Sequence, residues 1–95
     1  MTEIWTDEEL KNLDHLIKMV EAENRRQLEK WGTQTHQSYQ WLCFLMEEVG
    51  EVAEAIAEAD YREGDLNNIA RELIQVATLA LKMAEMSVQI RTLKP

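Results

Sequence analysis

Apolar residues recur at intervals of three and four along most of the chain. Leu10, Leu13, Ile17 and Val20 form a first run, and Leu42, Leu45, Val49, Val52, Ile56 and Ala59 a second. Ile69, Leu73, Val76, Ala80 and Met83 make a third. This is the period of amphipathic α-helices, and no segment alternates as a half-buried strand does. Thr6 followed by Glu9 fits a capping box, with Asp7 and Glu8 suited to the positive end of a helix. A first helix is therefore predicted from about Asp7 to Lys30. The stretch "WGTQTHQS" interrupts it, and Ser38 is placed to cap a second helix. "YREGD" supplies a turn, with Gly64 breaking the second helix and Asp65 capping a third. The predicted class is all-α: long antiparallel helices forming a bundle, in a single domain over residues 1–95.

The chain has 95 residues, and helices of about 24 residues are ~36 Å long. Three such rods in so short a chain cannot bury all their apolar stripes alone. Met46, Leu79, Leu81 and Met86 lie off the main stripes, so the second and third helices are apolar on more than one side. This predicts a homodimer or homotetramer whose four-helix core is completed by oligomerisation, with a monomeric three-helix bundle as the alternative.

Charge and cysteine content narrow the setting. The net charge of −8 argues against a nucleic-acid binder, which needs a basic face to neutralise phosphates. Cys43 is the sole cysteine and sits in the apolar run "WLCFLM", which predicts a buried structural thiol and suits a reducing cytoplasm. No apolar stretch approaches the ~20 residues of a membrane span, and the opening "MTEIWTDEEL" is acidic where a signal peptide is basic. The expected location is cytoplasmic.

The segment "LMEEVGEVAEAIAEAD", residues 45–60, holds six acidic side chains and no Lys or Arg. Like charges three and four apart on a helix repel, at about 0.2–0.5 kcal/mol per pair. Glu48 and Glu51 flank the stripe of the second helix, and Glu72 and Gln75 flank the stripe of the third. Their midpoints lie about 13 residues before and about 11 after the centre of the predicted turn, a difference in level of only ~3 Å between antiparallel helices. Four oxygen-bearing groups thus converge without a basic residue to neutralise them. An all-oxygen set favours a hard cation, Mg²⁺ with Mn²⁺ as a substitute. The plainer alternative is a polar helix face. A di-iron centre requires Glu-x-x-His, which neither His15 nor His36 provides.

At these residues the sequence resembles the all-α nucleoside triphosphate pyrophosphohydrolases of the MazG-like superfamily, whose signature is E-E-x-x-E followed after a spacer by E-x-x-D. Here the first half is Glu47-Glu48-Val49-Gly50-Glu51 and the second is Glu72-Leu73-Ile74-Gln75. The upstream "EKWGTQTHQSYQWLCFLMEE" is similar to the segment leading into that family's metal helix, and the likeness covers roughly residues 23–85. The resemblance implies Mg²⁺-dependent hydrolysis of a (deoxy)nucleoside triphosphate to monophosphate and pyrophosphate, with a role in clearing unwanted nucleotides. It implies Glu48, Glu51 and Glu72 as metal ligands, with Gln75 where the last Asp belongs. Glu47 is implied to hold a further metal or to orient the attacking water, so that Glu47 and Glu48 are the catalytic pair. An amide oxygen still coordinates Mg²⁺ but lacks the negative charge.

Candidate substrate contacts follow from position. Trp31 stands in a polar loop after the first helix, suited to stack on a nucleobase or simply to pack. Trp41 opens the second helix and reads as core. His36 either touches base or phosphate or caps the second helix. Arg62 and Arg71 are candidates for phosphate, as are Arg25, Arg26 and Lys30 from the first helix, each with an ordinary surface-charge alternative. Lys82, two turns beyond Gln75, is placed to face a neighbour's site in a dimer. The resembling family continues past its third helix with further contacts, whereas this sequence ends at "RTLKP", so a partner subunit supplies them or the pocket is more open. Two other functions stay open: a catalytically silent metal- or nucleotide-binding regulator, and a plain helical oligomerisation module that binds neither.

Overall fold

The computed structural model describes residues 4–32 and 35–93, with side chains to residue 87. Among them there are four helices and no strand: α1 (Asp7–Leu10), α2 (Leu13–Trp31), α3 (Ser38–Tyr61) and α4 (Leu66–Leu93). The all-α class is as predicted. Gln34 of the upstream motif, and Lys94 and Pro95 of "RTLKP", lie outside the described residues.

The expected first helix is two pieces. Its capping box is present: the Glu9 N–H donates to Thr6 Oγ1 at 3.1 Å, and the Thr6 N–H to Glu9 Oε1 at 2.9 Å. The helix then tightens, because the Asn12 N–H reaches back only three residues to the Glu9 carbonyl. Asn12 sits at φ −92°, ψ −4°, a turn-like conformation that asparagine favours because its side chain competes with the helical hydrogen bonds. A new helix starts from its carbonyl, which accepts from Leu16 at 3.1 Å.

Gln37, not Ser38, caps α3. Gln40 Oε1 accepts the Gln37 N–H at 2.9 Å, and Ser38 is the first helical residue. The turn after α3 also divides its labour differently from expectation. Glu63 takes the left-handed conformation at φ +54°, not Gly64. Gly64 is needed for close approach: its N–H donates to the Glu58 carbonyl at 2.8 Å, and a Cβ there would lie 3.0 Å from Glu58 C and Cβ. Asp65 caps α4 as predicted, its Oδ1 accepting the Asn67 N–H at 2.9 Å.

α4 is the central element, packing against both α3 and α2. The predicted stripes of α3 and α4 prove to straddle two faces. On α3, Leu45, Val52 and Ala59 are half-buried, while Leu42, Val49 and Ile56 stay 41%, 41% and 42% exposed. The row turned inward runs Trp41, Phe44, Glu48, Val52, Ala55 and Ala59. Trp41, at 6% exposure, and Leu79, at 9%, are the buried apolar side chains among the described residues. α3 is apolar around so much of its circumference that periodicity alone leaves its rotation open, and burial of the large aromatic Trp41 decides it. One consequence is that Glu48 lies within the inward row instead of beside it. Another is that Cys43 is exposed, against expectation.

The molecule is open as well as long. Its extents are 51 × 33 × 27 Å and its radius of gyration 15.6 Å, against ~12 Å for a compact domain of this length.

Candidate metal centre

The inward rotation of α3 and the antiparallel course of α4 bring three carboxylates together. One oxygen each from Glu48, Glu51 and Glu72 lies within 4.8 Å of the others. Glu48 and Glu72 are half-buried and Glu51 is exposed, so the cluster sits at the lip of the helix interface. Glu48 Oε2 and Glu72 Oε2 are both buried without a hydrogen-bond partner.

The electrostatics follow from that placement. Burial, then the charge of Glu51 and a hydrogen bond with it, push the Glu48 carboxyl up to about 7, with smaller contributions from Glu72 and Glu23. Glu72 is raised for the same reasons, burial first, and the Arg71 guanidinium partly opposes the shift. Three acceptor groups at this separation cannot all be charged at low cost. A divalent cation or a shared proton relieves them. The donor set is hard oxygen throughout, and two of its carboxylates carry a buried oxygen without a hydrogen-bond partner, so the residues fit Mg²⁺ or Mn²⁺.

Glu48 and Glu51 of the triad border an open cleft of about 810 Å³. Glu47, Glu48 and Glu51 form one wall with Trp41 and Phe44; Gln75, Thr78, Leu79 and Lys82 of α4 form the floor. Asn24, Arg26, Gln27, Leu28, Lys30 and Trp31 of α2 close the far side. Gln75 thus shares the cleft with Glu48 and Glu51, and Glu47 faces it from one turn before Glu51.

The other sequence-designated residues divide. Trp31 ends α2 instead of following it, is 62% exposed, and carries Lys30 Nζ 4.9 Å from its ring centroid. Lys82 lines the cleft of its own chain. His36 packs edge-on against Trp41 and Phe44, at 5.0 Å between centroids in each case, and is not itself among the residues that line the cleft. Arg71 donates to Asn68 Oδ1 at 2.7 Å and borders a smaller cleft between α2 and α4. Arg62 pairs with Glu58 at 2.7 Å, at the turn, ~19 Å along α3 from the acidic pairs.

Glu23 escaped the sequence reading. It is half-buried on α2, accepts from Arg26 Nε and Nη2 at 2.9 and 2.6 Å and from Gln27 Nε2 at 3.2 Å, and its charge helps to raise both Glu48 and Glu72. Arg26 holds the Glu23 carboxyl below its ordinary range. The signal was present: from Val20 the apolar stripe continues, three and four residues on, into Glu23 and Gln27. In the structure Leu10, Leu13 and Ile17 of that stripe are exposed, and the half-buried row of α2 runs Leu16, Val20, Glu23 and Gln27. Polar residues in such a row mark a polar site. Comparison of this chain with protein-family models, curated proteins and solved structures finds no match.

Proposed function

We propose that this protein is a Mg²⁺-dependent nucleotide pyrophosphohydrolase, acting in the cytoplasm to cleave a (deoxy)nucleoside triphosphate to monophosphate and pyrophosphate. The observation that carries the reading is the convergence of Glu48, Glu51 and Glu72 with two buried, unpartnered carboxylate oxygens. In this reading those three residues hold Mg²⁺, with Gln75 adding a neutral amide oxygen. Bound Mg²⁺ supplies positive charge that draws polyphosphate to an acidic protein and offsets charge developing at phosphorus. Glu47 orients the attacking water and takes its proton. Arg26, Lys30 and Lys82, all lining the cleft, attract the phosphates, and the exposed face of Trp31 stacks on the base. Water adds at the α-phosphorus as the α–β anhydride bond breaks and pyrophosphate leaves.

The test is incubation with a panel of ribo- and deoxyribonucleoside triphosphates plus Mg²⁺ or Mn²⁺, with chromatography of the products. Monophosphate and pyrophosphate, lost in Glu48→Gln and Glu51→Gln, are the expected result. Diphosphate with orthophosphate would place the cleavage at a different bond. Gln75 favours one second reading, a nucleotide-binding regulator without turnover, because it removes a charge from the ligand set. Mg²⁺-dependent nucleotide binding without any hydrolysis would decide for it.

A further inference from the structure

We infer that the smaller cleft between α2 and α4 is a binding site for a small organic carboxylate, one acid group on a short apolar body. The cleft is about 410 Å³ in volume, within the roughly 300–1,000 Å³ of small-molecule sites. Its two walls are built to one pattern. α2 contributes Met19, Ala22, Glu23 and Arg26. α4 contributes Asn67, Ala70, Arg71 and Ile74. Each set follows the spacing i, i+3, i+4, i+7, which lies along one side of a helix.

α2 packs against α4, so a gap between them needs a cause in the sequence. The cause is side-chain size. Ala22 and Ala70 take the second place of the two sets, where a leucine would fill the space between the helices. Both alanines are exposed, while Met19 and Ile74 are half-buried. These four residues leave an apolar trough. Each wall spans seven residues, ~10 Å of helix axis. That seats a ring or a short chain, and is too short for a lipid tail, which reaches across about 15 Å of a bilayer leaflet.

The polar groups select an anion. Glu23 closes a fork on Arg26, at 2.9 and 2.6 Å, so those two charges largely cancel. Arg71 is placed differently. Its Nη1 donates to the neutral Asn68 Oδ1 at 2.7 Å, and it makes no ion pair among the described residues. Asn67, one turn before Arg71, has a carboxamide with no hydrogen-bond partner among the described residues. Two arginines against one glutamate leave the lining with a single net positive charge, in a chain that carries −8. One carboxylate matches it, held by two parallel N–H bonds from a guanidinium. A second negative charge on the ligand would have no partner unless Arg26 left Glu23.

Amide proton–nitrogen correlation spectra of the full chain test this, with butanoate, hexanoate, decanoate and hexanol as probes. EDTA is present, so that no cation at the carboxylate centre captures the acid. Hexanoate should shift the amides of Ala22, Ala70 and Ile74 saturably, with Kd on the order of 1 mM or tighter. Butanoate should bind about 15-fold more weakly for its two missing methylenes, and hexanol roughly 10-fold or more for its missing charge. Arg71→Gln should weaken hexanoate by about 10-fold or more, and Ala70→Leu should abolish saturable binding by filling the trough. Far-ultraviolet dichroism should show helix content retained in both. Lys18→Gln, at an exposed cation of α2 outside the cleft, should bind as wild type does. Hexanol binding as tightly as hexanoate, or Arg71→Gln with wild-type affinity, would overturn the inference. So would shifts at Trp41 and Leu79, which line the carboxylate cleft, in place of those at Ala70 and Ile74. Affinity that climbs by the same factor per methylene from hexanoate to decanoate would assign the trough to a lipid chain and overturn the short acid. No arm reads Mg²⁺ binding or nucleotide turnover, so this site and the proposed chemistry fail independently.

Discussion

Glu48 and Glu72 approach each other from antiparallel helices, each with one carboxylate oxygen buried and without a hydrogen-bond partner. Both carboxyls are raised, Glu48 to about 7. In the folded state Glu48 therefore holds a proton that the unfolded chain releases near pH 4.5. Its contribution to stability is full below that pH and is lost as pH rises through 7. Metal-free protein should lose on the order of 1–3 kcal/mol across this window, allowing for the partial exposure of the cluster. Urea titrations at pH 5 and pH 8 in EDTA measure the difference. Millimolar Mg²⁺ should restore the loss at pH 8, because the ion takes the proton's place.

Glu48→Gln separates stability from binding. It removes one of three crowded charges, so the metal-free variant should be about 1 kcal/mol more stable than wild type at pH 8. Mg²⁺ binding should fall below detection by calorimetry. A variant that binds Mg²⁺ as wild type does would place the cation elsewhere.

Gln75 lies on the floor of the cleft that Glu48 and Glu51 line. Gln75→Asp adds an anionic oxygen on a shorter side chain, and Mg²⁺ affinity should rise about tenfold. The same change should weaken the metal-free protein above pH 7, since a fourth carboxylate joins the cluster. Paired calorimetric and thermal measurements check both directions.

The fork between Arg26 and Glu23 acts at a distance on the centre. Glu23→Gln removes a negative charge that raises Glu48 and frees Arg26, whose own guanidinium already interacts with Glu48. The Glu48 carboxyl should titrate at lower pH in this variant. Carbon-13 resonances of the glutamate carboxyls, followed from pH 4 to 9, report it directly.

At the turn after α3 the two conformational tasks sit on adjacent residues. Gly64→Ala forces a methyl within 3.0 Å of Glu58 backbone and Cβ, and should cost about 1–2 kcal/mol. Glu63→Gly relieves a side chain held at φ +54° and should add about 0.5–1 kcal/mol. Thermal melts of the two variants should move in opposite directions.

Period and capping chemistry were enough to read α3, α4 and the turn between them, and spacing alone put Glu48, Glu51 and Glu72 at one level. The rotation of α3 was not legible, because Leu42, Met46, Val49 and Ile56 compete with Trp41, Leu45 and Val52 for the interior on equal hydrophobic terms. Only the packing of the Trp41 ring settles that competition. Glu23 was missed for a related reason: a charged residue on a half-buried face is read as solvent-facing until its partner Arg26 is seen to hold it. The sequence made Arg62 a phosphate candidate and placed Lys82 toward a neighbour's site, whereas the course of the helices puts Lys82 in the cleft of its own chain and Arg62 at the far turn.

The docking of α2 on α4 has a consequence for motion. α4 acts as a keel, with α3 fixed to it through the turn at Glu63 and Gly64, and α2 resting on its other flank. The walls of the cleft therefore belong to two bodies that share a floor. A lean of α2 about its contacts near Ala70 and Ile74 widens or narrows the gap to α3 and leaves the α3–α4 contact intact. The distance from Trp31 to the carboxylates is therefore set by how α2 seats on α4, since α2 and α3 are held together chiefly through that shared helix.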